Sequence, residues 1–145
     1  MNCIREARVS DAKDISRLLG QMDYLRSEEF VTNNLKKMLS DNSYKIIVYQ
    51  QGEQVVGLIT LHFYWQIVYA GEVGTIGFFV VDETIRSQGI GKALEDYITK
   101  ISKERNCALI EVYSSMKRIK AHPFYERQGY KAYDKFFMKE INEDV

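Results

Sequence analysis

The run from Val80 to Leu94 limits what this chain can fold into more than any other stretch. It opens as a strand at Val80-Val81, passes through Asp82-Glu83-Thr84-Ile85-Arg86-Ser87-Gln88, tightens at Gly89 and Gly91, and continues with helical spacing. The first N–H groups of a helix have no intrahelical partner, and the helix dipole favours negative charge beside them. Glycine lets the main chain approach a ligand closely, because no Cβ stands in the way. Arg86 and Lys92 add positive charge at either end of the loop. The stretch therefore reads as a grip for a phosphate or pyrophosphate.

Two familiar phosphate loops are excluded by the letters. A Walker A loop needs glycine five residues before Gly91 and Ser or Thr after Lys92, where Arg86 and Ala93 stand. A dinucleotide fingerprint needs a third glycine where Leu94 stands. What remains is Arg-x-x-Gly-x-Gly at Arg86, Gly89 and Gly91, placed directly after a β-type run.

Composition narrows the class. A chain of 145 residues with 46% hydrophobic and 28% charged residues suits one domain, residues 1–145, with a real core. Lys plus Arg and Asp plus Glu stand at 20 each, so no basic field points to nucleic acid or an anionic membrane. Met1 to Glu6 carries charge where a signal peptide needs an apolar run, and no segment has the length of a membrane span; a cytoplasmic protein is expected. Cys3, Cys107, His62 and His122 have no metal-ligand spacing, so no metal is expected.

Taken in order, Ile4 to Val9 alternates apolar and charged residues as a strand does. Ser10 or Asp11 then caps a helix carrying Ala12, Ile15, Leu18, Leu19 and Met22. A second helix runs from its N-cap Ser27 to about Ser40. Tyr44 to Gln50 and Gln54 to Phe63 form a hairpin about Gln51-Gly52-Glu53, and Gly71 to Val81 adds a third strand. The helix after the glycine loop is expected to reach about Arg105, with Asn106 ending it. The strand Cys107 to Tyr113 can then lie parallel to its predecessor. Pro123 fits the first turn of a short helix stopped by Gly129, and Tyr130 to Ile141 closes with two short strands around Asp134-Lys135.

The element order, the glycine loop, the Arg8-Val9-Ser10-Asp11 start and the late Ala121-x-x-Phe124-Tyr125-x-x-x-Gly129-Tyr130 pattern together resemble the GNAT superfamily of N-acetyltransferases. The resemblance covers nearly the whole chain. It implies a mixed α/β (α+β) fold with a mostly antiparallel sheet of about six to seven strands and about four helices. A splayed parallel strand pair would bind acetyl-CoA as co-substrate.

The resemblance also distributes roles. Arg86, Ser87, Gln88, Gly89, Ile90, Gly91 and Lys92 would hold the CoA pyrophosphate. Phe79, Val80 and Val81 would pair with pantetheine and lend an N–H to the oxyanion. Tyr125 matches the tyrosine that protonates the leaving thiolate, although a packing tyrosine beside Phe124 reads the same. Many relatives carry a general-base glutamate in the strand before the loop. Counting back here reaches Gly77 and Thr75. Glu72 is the sole carboxylate of that strand, either catalytic and acceptor-binding or a solvated end residue; Glu111, His62 or a water chain are alternatives. Ser114 or Ser115 stands where relatives use asparagine toward pantetheine, and Lys117, Arg118 and Lys120 either reach CoA phosphates or are solvated.

The acceptor is expected to approach Asp23 to Glu29 and the aromatic segment Tyr64 to Tyr69. Tyr64, Trp65 and Tyr69 either line its pocket or form a homodimer contact. The expected activity is direct acetyl transfer, in a ternary complex, to a small-molecule amine or a peptide or protein amine. The alternative is a non-catalytic acyl-CoA-binding or regulatory module.

Overall fold

The computed structural model describes residues 1–113, 121–133 and 137–142. They fall into two compact units, Met1–Val112 and Tyr113–Val145.

The first unit is a five-stranded sheet in the order β1-β2-β3-β4-β5: β1 (Asn2–Glu6), β2 (Tyr44–Gln51), β3 (Gln54–Tyr64), β4 (Val73–Val81) and β5 (Leu109–Val112). Neighbours are antiparallel from β1 to β4, and β4 and β5 are parallel. Helices α1 (Ala12–Gly20) and α2 (Glu28–Leu39) separate β1 from β2, and α3 (Ile90–Glu104) is the crossover from β4 to β5.

α1 and α2 put Ile15, Leu18, Val31 and Leu35 against Ile46, Val48, Leu58 and Val80. α3 covers the opposite face. There Leu94 and Ile98 are fully buried, as are Ile59, Leu61 and Phe63 of β3. Gly57 permits the close approach, since a Cβ there would lie 3.0 Å from Leu94 Cδ1 and 3.2 Å from Ile90 Cγ2. The α3 start is thereby seated on the sheet. Among the described residues no helix is long and apolar enough to cross a membrane.

Local signals account for most boundaries. The Ser27 hydroxyl accepts the Phe30 N–H at 3.1 Å and caps α2. Gly52 takes φ +64 in the hairpin turn, and Asn106 takes φ +60 just past α3. The alternation after Ile4 does not all become strand. Asp11 receives Arg5 on both oxygens and the Arg8 N–H at 2.7 Å, which bends Val9–Asp11 into a 3₁₀ turn.

In the second unit α4 (His122–Arg127) starts with Pro123 in its first turn and is followed by Gly129 at φ +92. The expected terminal strands are corrected: residues 130–133 and 137–142 are not strand. Tyr133, Phe137, Met138 and Ile141 are exposed, so their β preference lacks the packed surface that realises it. The sheet of the described residues therefore has five strands rather than six or seven. Asp134 and Lys135 lie outside the described residues.

Candidate active site

The glycine loop hangs from a fastened base. Asp82, directly after β4, is buried at 4% exposure. Its Oδ1 accepts the Thr84 N–H at 3.0 Å and the Thr84 hydroxyl at 2.9 Å, and its Oδ2 accepts Arg17 Nη1 at 2.5 Å. Arg17 also donates to the Val55 carbonyl, and Gln21 Oε1 accepts the Glu83 N–H. α1 thus ties the loop's base to β3. The Thr84 amide, with Arg17 beside it, outweighs burial and holds the Asp82 carboxyl at about 2 against an ordinary 3.8.

Beyond that base the chain turns outward. Arg86, Ser87, Gln88 and Gly89 are exposed, with Ser87 at φ +70 and Gly89 at φ +78. Gly89 is the N-cap of α3. A Cβ built on it would meet nothing within 4 Å, so glycine serves the left-handed backbone, and the space beside it is open to a ligand. Among the described residues no side chain caps α3, and no acidic residue lies in its first turn, whereas α2 begins with a capping serine and two glutamates. The positive end of α3 thus meets no carboxylate of its own first turn, and the residues present would fit an anion such as a pyrophosphate. Ile90 is buried under Gly57, so its main chain is what faces the loop. Lys92 is exposed and pairs with Asp96 at 2.7 Å, which raises its pKa and shares its charge along α3.

β4 bends before it reaches the loop. Leu61 pairs with Ile76 and Ile59 with Phe79, so Gly77 and Phe78 together face Thr60, whose hydroxyl accepts the Phe78 N–H at 2.9 Å. This is a β-bulge, a device that re-aims a strand. The β4–β5 register runs only from Val73↔Leu109 to Ile76↔Val112. Phe79, Val80 and Val81 lie past its end, with Val80 buried and the other two half-buried. Phe78 meets Tyr24 of the α1–α2 connection edge-on at 5.3 Å.

The other expected residues are distributed as follows. Glu72 sits at the far end of β4, whose 9 residues span roughly 25–30 Å at strand rise. It pairs with Arg105 Nε at 2.9 Å and Nη2 at 3.4 Å, and Arg105 lies over the Phe63 ring. The structure brings Glu72 to the C-terminal end of α3, away from the loop. Tyr64 instead donates its hydroxyl to Glu111 on β5, which also accepts from Thr75 at 2.8 Å. Trp65 is 69% exposed, beside exposed Ile67 and Val68. Tyr125 is half-buried in α4, edge-on to Phe124 and Tyr130. Ser114, Ser115, Lys117, Arg118 and Lys120 lie outside the described residues. Cys3 is exposed, and burial pushes the Cys107 thiol up, with Glu72 adding to it. No group of three or more His, Cys, Asp or Glu among the described residues is arranged to hold a metal ion.

Sequence reasoning passed over Arg17 and Gln21, which no local pattern marks. Asp82 carried a signal, since Asp-x-Thr before a turn is a capping pattern.

The model of the acetyltransferase (GNAT) family matches residues 11–130. An aminoalkylphosphonate N-acetyltransferase of Salmonella typhimurium is 30% identical over 133 residues, covering 88% of this chain and 84% of the relative. A glucosamine 6-phosphate N-acetyltransferase of Trypanosoma brucei brucei is 33% identical over 92 residues, covering 63% of this chain and 60% of the relative. A transcriptional regulator from Bacillus halodurans C-125 has the same fold, with a TM-score of 0.89 at 26% identity over 97% of this chain and 100% of that one.

Proposed function

Since the chain belongs to the acetyltransferase (GNAT) family and is an acyltransferase, we propose that it moves an acetyl group from acetyl-CoA to the primary amine of a small molecule. The carrying observation is the uncapped, acid-free start of α3 beside left-handed Gly89. The main chain from Gln88 to Lys92 holds the CoA pyrophosphate there, with Arg86 at the loop's entrance. Phe79, Val80 and Val81 offer main-chain groups to pantetheine, and an N–H among them stabilises the oxyanion as the acetyl carbonyl is attacked. Tyr125, by its place in the Ala121-x-x-Phe124-Tyr125 pattern, supplies the proton for the departing thiolate.

A small acceptor is supported by the two named relatives, whose amines also bear a phosphonate or a phosphate. Direct transfer in a ternary complex is supported by the absence of a cysteine from the glycine-loop and Ala121–Tyr130 motifs, and by Cys107, which is half-buried with a thiol that burial makes harder to ionise. One observation favours a second reading, a non-catalytic acyl-CoA-binding or regulatory module: the likeness to a protein named as a transcriptional regulator.

Thiol release from acetyl-CoA, followed across a panel including an aminoalkylphosphonate, glucosamine 6-phosphate and a lysine peptide, separates the two. Release that depends on a small amine is expected. CoA binding with no acceptor-dependent release would favour the module.

A further inference from the structure

We infer that Glu111, delivered from β5, receives the acceptor ammonium and takes its proton. This inference rests on the acetyl-transfer reading above. An amine bound as its ammonium cannot attack a thioester until a base removes a proton. β4 itself supplies no free-standing carboxylate near the bulge, since Gly77 and Thr75 stand there and Glu72 is held by Arg105 at the strand's other end. The parallel register sets Thr75 opposite Glu111, one pair before the β4–β5 ladder stops. Thr75 donates its hydroxyl to Glu111 Oε1 at 2.8 Å, and Tyr64 donates to the same oxygen. Gln66 Nε2 in turn reaches the Tyr64 hydroxyl at 3.4 Å. Two strands thus orient a carboxylate that a third one carries.

The surroundings suit a small polar guest. His62 pairs with Thr75 in register, stacks on Tyr44 at 4.4 Å and lies 5.7 Å from Tyr64, ring to ring. Those three and Glu111 are titratable, and Asp41 acts electrostatically on His62 from the turn before β2. Tyr44, His62, Tyr64, Thr75 and Glu111 are all half-buried, while Leu61 and Phe63 on the other face of β3 are buried. The cluster is therefore reachable from solvent on the sheet face that Phe78 shares with Tyr24. Aromatic rings around a carboxylate favour a cation over an anion.

One ammonium proton passes to the Glu111 carboxylate, the freed nitrogen lone pair forms the C–N bond to the acetyl carbon, and the C–S bond breaks. The second surplus nitrogen proton ends on the departing sulfur, and Glu111 returns its own to solvent.

Glu111→Gln keeps shape and removes the base. Its kcat/KM with the best small amine is expected to fall about 100-fold or more at pH 7, and the deficit to shrink as pH rises through the amine's own pKa. Calorimetric affinity for CoA is expected to stay within about twofold of wild type, because the loop is untouched. A deficit below about fivefold, or one independent of pH, overturns the inference. Should Glu111→Gln fail to fold, Thr75→Val carries the test. It is expected to cost about tenfold in kcat/KM with unchanged CoA affinity, and an unchanged kcat/KM overturns the inference. If wild type binds CoA but releases no thiol with any amine, the acetyl-transfer reading fails. The same amines titrated into the CoA complexes then decide the binding half: weaker binding to Glu111→Gln upholds it, and equal affinity, or none for either protein, overturns it.

Discussion

Replacing Asp82 with asparagine tests whether the base of the loop is an electrostatic clamp. The buried carboxylate receives Thr84 on one oxygen and Arg17 on the other, and only the second contact requires its charge. In Asp82→Asn, Oδ1 can still accept the Thr84 amide, but Nδ2 then confronts the Arg17 guanidinium with a donor. The size follows from titration. A carboxyl held at about 2 instead of 3.8 binds its proton more weakly in the folded protein. At about 1.4 kcal/mol per unit, that is about 2.5 kcal/mol favouring the folded state. With a side chain only 6% exposed, solvent screening removes little of it. The sign is that of a lowered pKa: the contribution is full above the unfolded value near 3.8 and is lost as pH falls through about 2. Urea unfolding followed by far-UV circular dichroism should place Asp82→Asn about 2–3 kcal/mol below wild type at pH 7, with the gap closing between about pH 4 and pH 2. A gap that does not change with pH, or no gap at pH 7, would refute the clamp.

Other expectations follow from single contacts. Gly89→Ala forces a Cβ into a left-handed backbone, so stability should fall by about 1 kcal/mol and CoA affinity should drop with it in calorimetry; unchanged affinity would remove the loop from cofactor binding. Tyr125→Phe should lower turnover far more than acetyl-CoA affinity, and unchanged steady-state turnover would take Tyr125 out of the chemistry. Glu72→Gln loosens a half-buried bidentate pair with Arg105, so thermal unfolding should register about 1 kcal/mol while kcat stays within about twofold; a hundredfold fall would return Glu72 to the reaction.

What could be read from the chain was whatever is encoded locally. Ser27 before two glutamates, Gly52 in the hairpin, Asn106 after a helical run and Pro123 at a helix start each carry their structure in their own backbone preferences, and all four sit as expected. The parallel β4–β5 pair was legible because a strand-helix-strand order leaves few other topologies. Elements whose form depends on distant partners were harder. Val9 continues an alternating pattern, yet the strand ends at Glu6 because Asp11 gathers Arg5 and the Arg8 amide. Tyr133, Phe137 and Ile141 are β-formers but exposed. At the site, the glycine loop announced itself, whereas the Arg17–Asp82 clamp and the Thr75–Glu111–Tyr64 cluster join residues far apart in sequence, so only strand register and helix packing could bring them together.

The central claim, acetyl transfer to a small amine without a protein-bound intermediate, is tested most directly by acetyl-CoA labelled in its acetyl group. Mixed in single turnover with the protein and the best amine of the panel, the label should appear on the amine nitrogen in step with thiol release and never on the protein. Label that stays on the thioester with every amine, or that accumulates on the protein first, would contradict the account.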